Sequence, residues 1–306
     1  MNQSFRNFYK SAYLQTGGYL PAKPFGQLVF PGDLFQIVNG QVVVLDNIFK
    51  AGLIDQGDIH FRTVNQKEVN WTFSQGITKP YSGRDIGVNA LKGDFEYSKL
   101  VLSFKEKGSF IFKGKSPQAV SILNWADLAS ELIVKLTCTH FSFREVYVAT
   151  ESVSLAEWTL AVAASKKAEL EIVTDSENFG LVDIFGNNGT KTVQSKYLEY
   201  YDRSTKREPI FFKAKKLVVN KDMIEVLISK YYEAQKHKLK WLKKYFDFEI
   251  AENDGQAPPT SLGQWHVGLL DSLKAGELNP SNAIHYFGWQ NADLDDVAKL
   301  FVQYNE

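Results

Sequence analysis

Through the first two-thirds of the chain, apolar and polar residues alternate in short runs broken by Gly, Asn and Pro. A two-residue period is that of a pleated strand, so most of the chain is committed to β-sheet. The clearest run is PGDLFQIVNGQVVVLDNIF (Pro31–Phe49), which alternates on either side of Asn39-Gly40, a dipeptide suited to a type I′ hairpin turn. Further strand-like runs are DIHFRTV (Asp58–Val64), EVNWTF (Glu68–Phe73), KLVLSFKE (Lys99–Glu106) and SFIFKG (Ser109–Gly114). The last two meet at Lys107-Gly108 and read as a second hairpin. REVYVAT (Arg144–Thr150), EWTLAVA (Glu157–Ala163), AELEIVT (Ala168–Thr174) and PIFFKAKKLVV (Pro209–Val219) continue the pattern. The period changes over Ser116–Leu136, where Val120, Leu123, Leu128 and Leu132 space like a helix face behind Ser116-Pro117. A second helix is predicted over Lys221–Phe246, with Asn220 as its N-cap. The expected fold is α+β: a twisted, mainly antiparallel central sheet with flanking helices and a small helical C-terminal region.

Charge divides the chain more sharply than hydropathy does. Between Lys206 and Phe246, twelve Lys/Arg stand against four acids, a net of +8, whereas residues 247–306 hold ten acids and two lysines, a net of −8. A basic segment followed by an acidic tail able to mask it speaks to partners and regulation. The expected organisation is a β-rich main domain over 1–250, a linker over 251–264 (AENDGQAPPTSLGQ), and an acidic helical region over 265–306. At about 40 residues the last is too short to be stable alone, so it is expected to pack on the main domain through Leu269, Leu270, Leu273, Val297, Leu300 and Phe301.

Composition closes several classes. Hydrophobic residues at 44% and aromatics at 14% exclude global disorder. The N-terminal MNQSFRNFYK lacks an apolar h-region, and no window approaches 18 uninterrupted apolar residues. The single cysteine, Cys138, permits no internal disulfide and suits a reducing compartment. Catalytic patterns are missing too. His60, His140, His237, His266 and His285 are scattered without metal-ligand spacing, and Cys138 with His140 lacks an orienting acid. FGNNGTK (Phe185–Lys191) lacks the spacing of a phosphate loop and reads as a turn between strands. Glu169/Glu171 and Asp295/Asp296 read as solvated carboxylates rather than an acid–base pair. The expectation is a protein without catalytic residues, metal or cofactor.

KYYEAQKHKLKWLKKYF (Lys230–Phe246) mixes lysines with aromatics on the predicted helix. Lys230, Lys236, Lys238, Lys240, Trp241, Lys243 and Lys244 make it a candidate for contact with anionic lipid. A solubilising surface helix is the plainer reading. Nucleic-acid contact is a third, and the Lys-rich, Arg-poor composition argues against base readout.

The order of these features resembles the pore-forming domain of gasdermins, in particular the compact bacterial members, over roughly residues 5–220. RNFYKSAYLQTGGYLPAKPF (Arg6–Phe25) is similar to the family's start: an amphipathic lead, a Gly-Gly turn, and Leu-Pro before the first strand. The paired strands KLVLSFKEKGSFIFKG follow, then REVYVATESVSLAEWTLAVAASKKAELEI (Arg144–Ile172), and PIFFKAKKLVV corresponds to the closing strand. The resemblance implies a sheet domain held inactive by a C-terminal element. Proteolytic removal of that element frees the domain to leave the cytoplasm for an anionic membrane and self-assemble there. It also implies hairpins that enter the bilayer. Leu100, Leu102 and Phe104 form one candidate lipid-facing set and Trp158, Leu160 and Val162 another, since lipid and lumen faces alternate. Asp254, Gly255 and Leu262 mark the candidate cleavage linker. Two features depart from the bacterial pattern: residues 1–137 contain no cysteine to carry a lipid, and residues 251–306 outrun the short inhibitory tail of those members. The alternative reading is a non-enzymatic soluble binding or assembly protein, such as a phage or secretion-system structural component.

Overall fold

The structure, a computed structural model, describes residues 2–24, 26–65, 70–89, 93–136, 146–175, 190–220 and 283–301. The expected α+β class is observed, and every strand pairing recorded is antiparallel.

A short 3-10 turn leads into α1 (Arg6–Thr16), which buries Phe8, Tyr9 and Ala12 and stops at Gly17, whose φ of 73° admits the left-handed cap. β1 (Leu20–Pro21) follows. β2 (Asp33–Val38) and β3 (Gln41–Asn47) form the hairpin expected at Asn39-Gly40, where both residues take positive φ as a type I′ turn requires.

The rest of the body is one four-stranded antiparallel ribbon, bent twice. Its first third pairs β4 (Phe61–Asn65), β9 (Gln118–Ile122), β10 (Tyr147–Leu155) and β15 (Glu208–Val219) in that order. The middle third repeats the order with the next segments of the same strands: β5 (Asn70–Gln75), β8 (Phe110–Lys115), β11 (Glu157–Ala163) and β14 (Leu198–Ser204). The last third is β6 (Ile77–Asn89), β7 (Gly93–Phe104), β12 (Glu169–Asp175) and β13 (Thr190–Lys196). In the first third, β2 joins β10, β1 joins β15, and the sheet totals eight strands.

Each bend has local causes. At the first, Ser116 takes a positive φ before Pro117, and the Arg207 guanidinium donates to the Ser116 and Ser154 carbonyls at 3.0 and 3.3 Å. At the second, Gly76, Gly108 and Tyr197 all take positive φ, while Phe104 and Gly108 donate their N–H groups to the carbonyls of Ala168 and Ala163. The strands meeting at Lys107-Gly108 are therefore not a hairpin. They lie in different thirds of the ribbon, and the turn between them is a corner.

The helix expected from Ser116 begins later. Residues 118–122 form β9, whose alternation matches β4 and β10, and the helix α2 runs Trp125–Leu136. Asn124 sets the switch. Its carbonyl accepts from the Asp127 and Leu128 N–H groups, and its side chain bonds the His60 N–H and the Asp58 carbonyl.

Two cores lie on the body of the ribbon, the first spanning its first and middle thirds and the second confined to its first. One gathers Phe5, Phe8, Tyr9, Phe35, Phe110, Phe112, Tyr147, Trp158, Phe211 and Phe212, and the other packs α2 through Leu128, Leu132, Ile133 and Leu136. A third fills the inside of the second bend with Leu100, Leu102, Phe104, Ile111, Ala161, Ala163, Ala168, Leu170 and Ile172.

Candidate functional site

The last third of the ribbon is where sequence and geometry converge on a specialised element. β7 and β12 are central in it, with Leu170 opposite Leu102 and Ile172 opposite Leu100. Their exposure alternates along the chain: Leu100, Leu102, Phe104, Leu170 and Ile172 are buried, and Lys99, Val101, Ser103, Glu171 and Val173 are not. The polar face carries a Lys99–Glu171 ion pair at 3.0 Å. Among the described residues β6 and β13 are the edges of this sheet. They expose Tyr81, Ile86 and Val193, with Ile86 at 70%.

The two candidate sets of lipid-facing residues therefore part company. Leu100, Leu102 and Phe104 sit on β7, on the apolar face of the outlying sheet. Trp158, Leu160 and Val162 sit on β11, in the middle third, with their side chains in the main aromatic core. Their alternation separates two covered faces, because Ala161 and Ala163 on the other face belong to the core of the second bend. β6 carries no clear strand signal in the sequence. Pro80, Gly83 and Gly87 disguise it, and its length of 13 residues emerges only from its register against β7.

Lys230, Lys236, Lys238, Lys240, Trp241, Lys243 and Lys244 lie outside the described residues, as do Asp254, Gly255, Leu262 and the pair Cys138 and His140. FGNNGTK lies outside the described residues up to Gly189, and its last two residues, Thr190 and Lys191, open β13. Among the described residues no group of His, Cys, Asp and Glu has the arrangement of a metal site.

The described part of the acidic tail carries the short helices expected, with one strand between them. A single turn, α3 (Ala283–Tyr286), leads to β16 (Phe287–Asn291), which pairs with Lys215–Val219 of β15. Trp289 donates its indole N–H to the Ala129 carbonyl at 2.8 Å and meets Trp125 edge-on. The closing helix α4 (Leu294–Lys299) starts on an Asp293 capping box. Val297, Leu300 and Phe301 then enter the main core, Phe301 beside Tyr9 of α1. The tail thus docks along β15 in the first third of the ribbon, with α3 and β16 against α2, and α4 against α1.

Asp296 is the junction of that docking. Fully buried, its Oδ1 accepts from the Tyr147 hydroxyl at 2.6 Å, from Lys216 Nζ at 2.9 Å and from Lys299 Nζ at 3.3 Å. Its Oδ2 accepts the Asp293 N–H at 3.0 Å. Burial alone pushes this carboxyl up, but Lys216, the Tyr147 hydroxyl and the Asp293 N–H outweigh burial and hold it below the usual aspartate value. The expectation that Asp295 and Asp296 are both solvated holds for Asp295, which is exposed, and is corrected for Asp296.

No family model matches the chain, and no curated protein matches it. Among solved structures the chain has a weak likeness to the gasdermin A3 membrane pore determined by cryo-electron microscopy. Identity is 10% and the TM-score 0.30, over 71% of this chain and 90% of that one.

Proposed function

We propose that the chain is a non-enzymatic, membrane-targeting pore-former, held inactive by its C-terminal region and activated when that region is released. The observation that carries this reading is the outlying third of the ribbon. Two hairpins, hinged at one line of bends, form a four-stranded sheet with alternating faces and, among the described residues, two unpaired edges. A strand needs about 9–11 residues to cross a bilayer. β6 and β7 carry 13 and 12, and the described parts of β12 and β13 carry 7 each. Open edges cannot be left in lipid, where unpaired backbone groups cost several kcal/mol each. The edges β6 and β13 would therefore be closed by neighbouring copies, making the active form a ring of this chain.

In this reading Leu100, Leu102, Phe104, Leu170 and Ile172 turn from the bend core to the acyl chains, and the lysines of 230–244 contact anionic headgroups. A protease cutting within 251–264 is the proposed trigger, and the protein waits in the cytoplasm. The test uses the full chain with a protease recognition sequence set into residues 251–264. Cutting it in the presence of dye-loaded anionic vesicles is expected to release the dye, and the uncut chain is expected not to. Failure to release dye from a cut chain that keeps its fold overturns the reading. One observation favours a soluble assembly protein instead: Val297, Leu300 and Phe301 are built into the main core. That alternative expects cutting to lower stability, with defined oligomers forming in the absence of lipid.

A further inference from the structure

The Asp296 junction has the form of a ligand in a site. Its body half is made of two donors from neighbouring strands, the Tyr147 hydroxyl of β10 and the Lys216 ammonium of β15, aimed at one carboxylate oxygen. Both donors are held in place. The Tyr147 ring stacks on Phe35 with centroids 5.1 Å apart, and Lys216 Nζ lies 5.9 Å from the centroid of the same Tyr147 ring. The tail half supplies the carboxylate together with Lys299, whose ammonium reaches both Asp296 and the Tyr147 hydroxyl. Burying a carboxylate is costly, and a well-packed apolar side chain often serves stability as well. A tail that needed only to be anchored already has Val297, Leu300 and Phe301. What the carboxylate adds is an anion matched to an ammonium and a hydroxyl on neighbouring strands. A phenol and an ammonium converging on one oxygen form charge-assisted hydrogen bonds of the kind that phosphate oxygens accept.

We propose that Tyr147 and Lys216 form a binding site for the phosphate group of an anionic ligand, and that Asp296 fills this site in the closed chain. The proposal rests on the reading that the tail is released. When the tail leaves, Asp296 and Lys299 leave together, and the body keeps the Lys216 ammonium and the Tyr147 hydroxyl. A single such site binds weakly. Repeated around a ring of copies and set against a surface of many phosphates, it gains by multivalency, which favours a lipid headgroup over free phosphate.

The test uses the full chain carrying Asp296→Ala, which empties the anion position. Inorganic phosphate is titrated while thermal stability is followed. In parallel, the protein is sedimented with vesicles of phosphatidylglycerol and phosphatidylcholine, and with vesicles of phosphatidylcholine alone. Phosphate is expected to raise the melting temperature of Asp296→Ala and to leave the unsubstituted chain unmoved. The phosphatidylglycerol vesicles are expected to retain Asp296→Ala more than the unsubstituted chain. Adding Lys216→Gln or Tyr147→Phe is expected to weaken either response at least tenfold, and adding Lys216→Arg to preserve it, which separates loss of the charge from loss of the fold. A response to phosphate without vesicle binding supports the site with a soluble phosphate compound as its ligand. Vesicle binding without a response to phosphate supports it with the headgroup as ligand. No response in either arm, or a response indifferent to Lys216→Gln and Tyr147→Phe, overturns the proposal. Dye leakage by the cut chain is read separately. Binding without leakage keeps this site and removes the pore reading, and leakage indifferent to Lys216→Gln and Tyr147→Phe does the reverse.

Discussion

β11 and β12 are consecutive strands with the same apolar–polar alternation, and they live in different surroundings. In EWTLAVA of β11 every residue after Glu157 is buried, because the main core covers one face and the bend core the other. Over residues 169–174 of β12 burial alternates: Leu170, Ile172 and Thr174 are buried, and Glu169 is exposed. On the neighbouring strand pair, Phe110, Ile111 and Phe112 of β8 are buried in succession, whereas burial alternates over residues 99–104 of β7. The lesson concerns mobility. A segment covered on both faces can move only by unfolding the body, whereas a one-faced sheet joined through a line of bends can move by exchanging one apolar cover for another.

The comparison can be broken by substitution, starting with the body. Trp158→Ala empties a fully covered position and is expected to cost about 4 kcal/mol of global stability, read by chemical denaturation. At the tail junction, Asp296→Ala leaves two ammonium groups without their carboxylate. It is expected to cost about 3 kcal/mol, read as faster hydrogen exchange in β16 and α4 than in β10. Leu102→Ala removes a side chain from the bend core and is expected to cost about 2 kcal/mol, with faster exchange in β6, β7, β12 and β13 while β2 and β10 stay protected. Gly76→Ala places a methyl group at a φ of 68° against the Ser109 hydroxyl. It is expected to cost about 1 kcal/mol, and equal loss of protection in both halves of the ribbon would refute a hinge there. Lys99→Met breaks a half-exposed ion pair and is expected to change stability by under about 0.5 kcal/mol.

Acid offers a separate handle on the junction. The Asp296 carboxyl is held below its ordinary value of 3.8 when the tail is docked. The stability it contributes is therefore complete above that ordinary value and is lost as pH falls through the lower docked value. Tail docking, followed by fluorescence of Trp289, is expected to be flat from neutral pH to about pH 4 and to weaken only below that, with Asp296→Asn abolishing this step.

Much of the fold was legible because burial writes a period into the chain. The Asn39-Gly40 hairpin, β11, β12 and β15 lie where alternation puts them. Whether a strand has one covered face or two is set by what packs on it, so Trp158, Leu160 and Val162 read like Leu100, Leu102 and Phe104. The corner at Lys107-Gly108 resembled a hairpin because a turn residue does not say which sheet its flanking strands join. β9 was hidden because Val120, Leu123, Leu128 and Leu132 satisfy a helical spacing across a strand-to-helix boundary at Asn124. β16 was hidden because FGWQN has little alternation, and its strand form comes from the open edge of β15. Asp296 looked like one of two surface carboxylates, and only the approach of β10 and β15 makes it the buried one.

The central claim is that the outlying sheet, and not the body, enters the membrane. An environment-sensitive fluorophore placed on Ile86→Cys, on β6, or on Leu45→Cys, on β3, tests it in a chain whose own cysteine is replaced by Cys138→Ser. After cutting within 251–264 in the presence of anionic vesicles, the probe at position 86 is expected to shift to the blue and to be quenched by lipid-borne quenchers, while the probe at position 45 stays in water. A shift at position 45 with none at position 86, or no shift at either position in a chain that has bound the vesicles, would contradict the account.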